Sequence, residues 1–389
     1  MCFFFQALNE LQSGHFWHWS TSAFASTVSQ NFKSKIKIKT ANLNFRHIRR
    51  NFEVVALWDE DGSELENEAE SLNISIYSSF EDDVLLNKEI GLLIILCPPI
   101  HHAQIAVKAL GIAKHVYVHP PCATGALQTL RMVQSASYYP NLCAFVGSLR
   151  SLPAAVELKK CLKYVGSQIS HCDVRLSSPS LIGSSRYSWK CSEEMGGGVL
   201  NFFGSQLIDL VLFTLGQRAS KVNASFRTVQ KKTAQIGGIR HITADDVASL
   251  VLETDQDCLV TIYLSAVASN CFSQEVTMTG DQGQLTLRNA NLFGRKFSLD
   301  NQDQEEELYL DSNANNEDKE LPQLYLRAYE CLFDRLKEAV KVDQEEKSDL
   351  ATFEDALHIS EIISAARQSN VEKSWCRVPP GALLISGDK

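Results

Sequence analysis

No stretch of this 389-residue chain is apolar for long enough to cross a membrane. Its longest run is LLIIL (Leu92–Leu96), bounded by Gly91 and Pro98, against the roughly 18 residues a span requires. A surplus of positive charge is also missing. The formal net charge is −9, which excludes a general nucleic-acid binder, because neutralising phosphates takes a basic surface. The eleven cysteines include no C-x-x-C and no Cys/His pairing at zinc spacing, so they read as reduced core thiols. Glycine is scarce where it would matter most. Before Phe52 the only one is Gly14, so the G-x-G-x-x-G turn that cradles a pyrophosphate is not there. Acidic residues are absent from Leu11 to Phe52, while Lys33, Lys35, Lys37, Lys39, Arg46, Arg49 and Arg50 are basic. That pattern fits a transit peptide, but Glu10 and the alternation KSKIKIK speak against one, and MCFFF is too short for a signal-peptide core. Residues 1–51 are therefore expected to form an irregular lead-in with an incomplete first strand and phosphate loop. The expected compartment is the cytoplasm, with secretion the alternative for a different N-terminus.

What is present alternates. FEVVALW (Phe52–Trp58) reads as a strand and SELENEAESLN as a helix with acids at its start. ISIYSSF, GLLIILCPP, the helical HHAQIAVKALGIAK and the strand HVYV follow. Continuous apolar strands separated by helices imply a parallel sheet covered on both faces, with ligands beyond the carboxyl ends of the strands. Asp59, Cys97-Pro98-Pro99 and His119-Pro120-Pro121 then share one edge. From Ile242 onward the strands are predicted to be antiparallel, with Gly280-Asp281-Gln282-Gly283 as a hairpin turn. The acid-rich stretch Gln302–Glu320 reads as a solvated loop. The fold class is thus α/β plus α+β: a Rossmann-like parallel-sheet domain over 52–123, and a domain with a large, mostly antiparallel sheet over 124–345. A C-terminal helix and tail (346–389) pack back on the first domain.

Six stretches carry a resemblance: Cys97–Lys114 (CPPIHHAQIAVKALGIAK), Ser137–Pro140 (SYYP), Arg150–Ala154 (RSLPA), Arg186–Gly198 (RYSWKCSEEMGGG), Ile239–Asp246 (IRHITADD) and the terminal ATFEDALHISEII…SW. The chain resembles the Gfo/Idh/MocA oxidoreductase superfamily, and within it the animal glucose-fructose oxidoreductase domain-containing proteins. The resemblance implies NAD or NADP as cofactor and a catalytic Lys, Asp and His. Here those positions are Pro120, Phe202 and Gln206. Proline and phenylalanine have no titratable atom and a glutamine amide does not shuttle protons at neutral pH, whereas a positioned acid or base is worth roughly 10²–10⁴ in rate.

His119 and Tyr187 are the candidate substitute bases; the plain alternative for His119 is a neutral imidazole bonded to backbone. Asp59, Cys97, Pro98, His102 and His119 form the vestigial cofactor edge, with His102 expected to be architectural. Arg150, Tyr187, Trp189, Gln206 and Glu194 are expected to approach the substrate cleft from the second domain, with Asp209 an arginine or backbone partner within its helix. The reading is an inactive oxidoreductase-fold protein acting as a binding or regulatory homodimer. Its rival is an NAD(P)-dependent oxidoreductase acting on a sugar-like or polyol CH–OH group.

Overall fold

Four consecutive β-branched or leucine residues with no polar partner have to be covered on both faces, and Leu92–Ile95 is buried at every position. It belongs to a six-stranded sheet in the computed structural model, which describes residues 2–6, 51–59, 65–182, 187–232, 241–267, 272–297, 304–312, 323–341 and 349–379. Across that sheet the strands run Ile76–Ser78, Glu53–Trp58, Cys2–Gln6, Leu92–Ile95, His115–Val118 and Ala144–Val146. All are parallel except Cys2–Gln6, which lies antiparallel between two neighbours.

This arrangement corrects two expectations. The lead-in is not wholly irregular, because CFFFQ fills the central place in the sheet. The boundary at 123/124 falls inside this domain, since Ala144–Val146 pairs with His115–Val118. The rest of the lead-in, residues 7–50, lies outside the described residues.

Direction matters for the first of these. Cys2 pairs with Trp58 and Ile95, the carboxyl ends of its neighbours, while Gln6 pairs with Glu53 at the opposite end. The chain therefore leaves this strand away from the edge that holds Asp59, Cys97 and His119.

The second sheet has nine strands, in the order Glu306–Tyr309, Asn291–Lys296, Gly283–Arg288, Ser273–Gly280, Ile169–Ser177, Leu259–Ser265, Val247–Thr254, Ala219–Arg227 and Cys376–Arg377. Only Ile169–Ser177 and Leu259–Ser265 are parallel neighbours. Alternation is clean: in Ser273–Gly280 every second residue, from Gln274 to Gly280, is buried, as a sheet with one covered face requires. The predicted hairpin at 280–283 joins two paired strands. Glu306–Tyr309 corrects the solvated-loop reading, because it is an edge strand whose charged residues are exposed. Charge on an edge blocks pairing with further strands.

Two helices join the sheets. Gln323–Lys341 sets Phe333 against Phe52 and Tyr117. Phe353–Glu372 starts with a reciprocal cap between Thr352 and Asp355, which satisfies backbone donors at the helix start. It hydrogen-bonds to both domains, through Ser360 to Thr129 at 3.1 Å and through Ser369 to the Ala224 amide at 3.0 Å. Nine cysteines, from Cys97 to Cys376, are free thiols, and no described helix is long and apolar enough to cross a membrane.

Candidate functional site

The strand His115–Val118 delivers His119 into an aromatic nest. Its ring stacks on Tyr329 at 5.6 Å between centroids and meets Phe202 at 6.2 Å. Burial, reinforced by the charges of His102 and Lys190, lowers its pKa to about 3, against a smaller opposing pull from the Pro120 backbone. It is therefore neutral at physiological pH. His102 is 1% exposed. One ring nitrogen lies 2.6 Å from the Cys97 carbonyl and the other 3.1 Å from those of Pro121 and Cys122. Burial lowers its pKa to about 4 despite those carbonyls. His102 thus ties two strand ends together.

Phe202 sits on a π-helical turn, Leu200–Gly204, that runs into the helix Ser205–Leu215. The lead into it needs glycine. Gly198 has φ +107, and a Cβ there would meet Asp245 Oδ1 at 2.5 Å. That close approach lets Asp245 accept from the Leu200 amide at 2.9 Å while its own carbonyl accepts from Val199 at 2.8 Å. The carboxylate therefore caps the helix start. Arg367 stands 3.5 Å from Asp245 and 2.8 Å from Glu193.

Gln206 uses both ends of its amide: Oε1 accepts from Ser148 at 2.8 Å and Nε2 donates to the Phe202 carbonyl at 3.3 Å. Arg150 is buried and grips Asp209 with two nitrogens, at 2.8 and 2.5 Å; a third lies 3.2 Å from Asp355. The guanidinium also lies 4.2 Å from the Phe213 ring centre. Burial raises the pKa of Asp209, and the Arg150 charge opposes that rise.

A cleft opens beside this cluster, with Pro120, Ser148, Asn201, Ser205, Gln206 and Arg367 among its walls. Two of the three expected catalytic positions, Pro120 and Gln206, line it. Arg150 does not, and its fork is spent on Asp209, which does.

Tyr187 packs with Ile182, Cys191 and Ile242, and its hydroxyl donates to the His241 carbonyl at 3.4 Å. It is not brought to His119. Trp189 stands beside Phe202 at 6.4 Å, and Glu194 is exposed. Asp59 ends the strand Glu53–Trp58 half-buried, Cys97 is buried, and Pro98 caps the helix Pro99–Gly111. Sequence reasoning missed Lys190, Tyr329, Ser148 and Asp245. Lys190 stands inside the quoted YSWKC, but its 5.4 Å approach to Phe202 is a tertiary contact.

Two family models match this chain: the NAD-binding Rossmann fold of the oxidoreductase family over residues 36–147, and the GFO/IDH/MocA C-terminal domain over 167–286. Glucose-fructose oxidoreductase domain-containing protein 2 of Homo sapiens is 35% identical over 340 residues, covering 83% of this chain and 86% of that protein. The chain belongs to the Gfo/Idh/MocA oxidoreductase family. Protein 1 of the same name from Mus musculus is 34% identical over 345 residues, with 83% and 86% covered.

Among solved Gfo/Idh/MocA folds, levoglucosan dehydrogenase in complex with NADH and levoglucosan superposes with a TM-score of 0.70. It is 18% identical, with 84% of this chain and 90% of that one covered. A super-repressor mutant of Gal80p from Saccharomyces cerevisiae also gives 0.70 at 14% identity, covering 89% and 95%. Gfo/Idh/MocA membership accounts for the two-sheet frame. In this member the three expected proton-handling positions hold a proline, a buried phenylalanine and a glutamine hydrogen-bonded at both ends of its amide.

Proposed function

We propose that this protein binds a small ligand or a regulatory partner without turning it over, and does so as a homodimer. The observation that carries the reading is the cleft itself. At the expected base positions the cleft wall holds Pro120 and Gln206, the third position is the buried Phe202, and the imidazole next in the chain to Pro120, His119, is stacked, buried and neutral. The described residues also do not fit a dinucleotide, because the central strand runs away from the edge where a pyrophosphate would need backbone amides. A fold neighbour that is a super-repressor mutant of Gal80p is compatible with such a role. The second reading, an NAD(P)-dependent oxidoreductase acting on a sugar-like or polyol CH–OH group, is supported by the Rossmann match and by the neighbour solved with NADH and levoglucosan.

Titration with NADH and NADPH separates them. A micromolar cofactor site would stabilise the fold by about 4 kcal/mol at millimolar ligand. We expect a thermal shift well below that, and a full shift would favour the oxidoreductase. The triple substitution Pro120→Lys, Phe202→Asp, Gln206→His is likewise expected to give no NAD-dependent sugar oxidation, since it leaves the missing phosphate cradle unrepaired; measurable turnover would refute the reading.

The dimer is proposed through the outward face of the nine-stranded sheet, where Leu259 and Tyr263 are exposed. Light scattering at micromolar concentration is expected to give twice the chain mass, and Tyr263→Arg to give the monomer. A monomeric parent protein would count against that surface.

A further inference from the structure

We propose that Lys190 anchors the carboxylate of a small ring-bearing ligand beside Phe202, in the interdomain region whose proton-handling residues are gone. This rests on the binding reading above and names its ligand class.

The first support is a charge inventory. Four acids around this region are already matched, Asp209 and Asp355 by Arg150, and Asp245 and Glu193 by Arg367, and Glu194 is turned out to solvent. Lys190 is not. Among the described residues its ammonium meets no carboxylate and no hydrogen-bond acceptor, only the face of Phe202 at 5.4 Å. A half-buried ammonium resting on one ring gains a modest cation–π attraction, but its three donors remain open.

The second support is next to it in the chain. The indole Nε1 of Trp189 is buried with no acceptor among the described residues, a state that costs about 1–3 kcal/mol. Trp189 and Lys190 share one turn, Trp189–Cys191, and both lie against the same phenylalanine. Both are donors only, so what would satisfy them is an acceptor, and the unmatched charge makes it an anion. The indole is shielded as it stands, so an arriving oxygen reaches it only with a shift of that turn. The surroundings describe the rest of the ligand. Trp189 is half-buried, and its indole beside Phe202 is the aromatic surface left for a planar or cyclic body; His119 and Tyr329 are buried against each other behind it. Burial lowers the Lys190 pKa, as expected of an ammonium short of acceptors, and a bound carboxylate would push it back up.

The test pairs each acid with its uncharged counterpart: D-glucuronate with D-glucose, and benzoate with benzyl alcohol, titrated by calorimetry into the full chain. At least one acid is expected to bind at millimolar concentration or tighter and to outcompete its neutral partner. Lys190→Met should weaken it by roughly tenfold to a hundredfold, the range for a charge-assisted hydrogen bond, while Lys190→Arg retains it. The thermal midpoint of each variant checks the fold. Equal binding of acid and neutral probe, affinity unchanged in Lys190→Met, or no binding by either acid would overturn the anchor. Absorbance of reduced nicotinamide, followed in the same samples with NAD added, tests the parent reading separately. Turnover of the acid would overturn the non-catalytic reading and leave the anchor standing; a Lys190-independent result without turnover would do the reverse.

Discussion

Between pH 6.5 and pH 3 the protein is expected to lose a large part of its folding stability, with His102 and His119 as the cause. Both imidazoles titrate far below the ordinary 6.5, His102 at about 4 and His119 at about 3, chiefly because burial disfavours the charged ring. The unfolded chain takes up a proton at each near pH 6.5 and the folded chain does not. Their contribution is therefore fully present above that pH and is lost as the pH falls toward the folded values. At 1.36 kcal/mol per unit of pKa, the penalties are on the order of 3 kcal/mol for His102 and 5 kcal/mol for His119, against a total stability of about 5–15 kcal/mol.

Asp209 and Asp245 work in the opposite direction. Burial raises their pKa, so the fold holds their protons more tightly and their contribution fades as the pH rises. They soften the acid loss without reversing it, because each also faces an arginine that opposes the rise. Urea unfolding at pH 7, 6 and 5 should show the midpoint falling, with net proton uptake on unfolding. His119→Phe keeps a ring against Tyr329 and removes the titration. It is expected to match or fall slightly below the parent at pH 7 and to exceed it at pH 5. Parallel midpoints for the two proteins across that range would show that His119 is not the source.

The same burial explains why the sequence was informative about the frame and less so about the site. Leu92–Ile95 and the helix Pro99–Gly111 were legible because their patterns are local: an unbroken apolar run and a 3.6-residue period closed by proline and glycine signals. The glycines before Val199 could be recognised as a close approach. What they approach could not, since Asp245 lies 47 positions after Gly198 in the chain. The strand Glu306–Tyr309 was misread because an edge strand carries the charges that a loop also carries. The domain boundary was placed too early because Ala144–Val146 is only three residues long and follows a change in the character of the text.

At the site, the identities of Pro120, Phe202 and Gln206 could be read directly, and a missing titratable atom is a property of the residue itself. The neighbours of Lys190, the stacking of His119 on Tyr329 and the departure of Tyr187 to a separate cluster are long-range packing outcomes. No periodicity encodes them. Arg150 shows the limit clearly. It was expected to approach the substrate cleft, and only the fold reveals that its partner is internal.

Arg150→Met is accordingly expected to cost stability rather than ligand affinity, by about 3–5 kcal/mol, the range for removing one partner of a buried ion pair. The loss falls mainly on Asp209. Asp355 keeps its cap on the terminal helix through Thr352 whatever happens to Arg150, but Asp209 has no other hydrogen-bond partner among the described residues. Its burial already disfavours the charged form, and the methionine would leave it unpaired at the wall of the cleft. Water reaching Asp209 from that cleft would hold the cost toward the lower end. Arg150→Lys, which preserves charge but not the two-pronged geometry, should fall between the parent and the methionine variant. Asp209→Leu added to Arg150→Met removes the stranded carboxylate and is expected to recover most of the loss, since apolar replacement of a whole buried pair is often near neutral. Urea unfolding of the two single variants and the double variant gives the coupling energy directly. If the double variant proved as unstable as the sum of the singles, Asp209 would not be the group that Arg150 neutralises, and the arginine would again be free to serve the cleft.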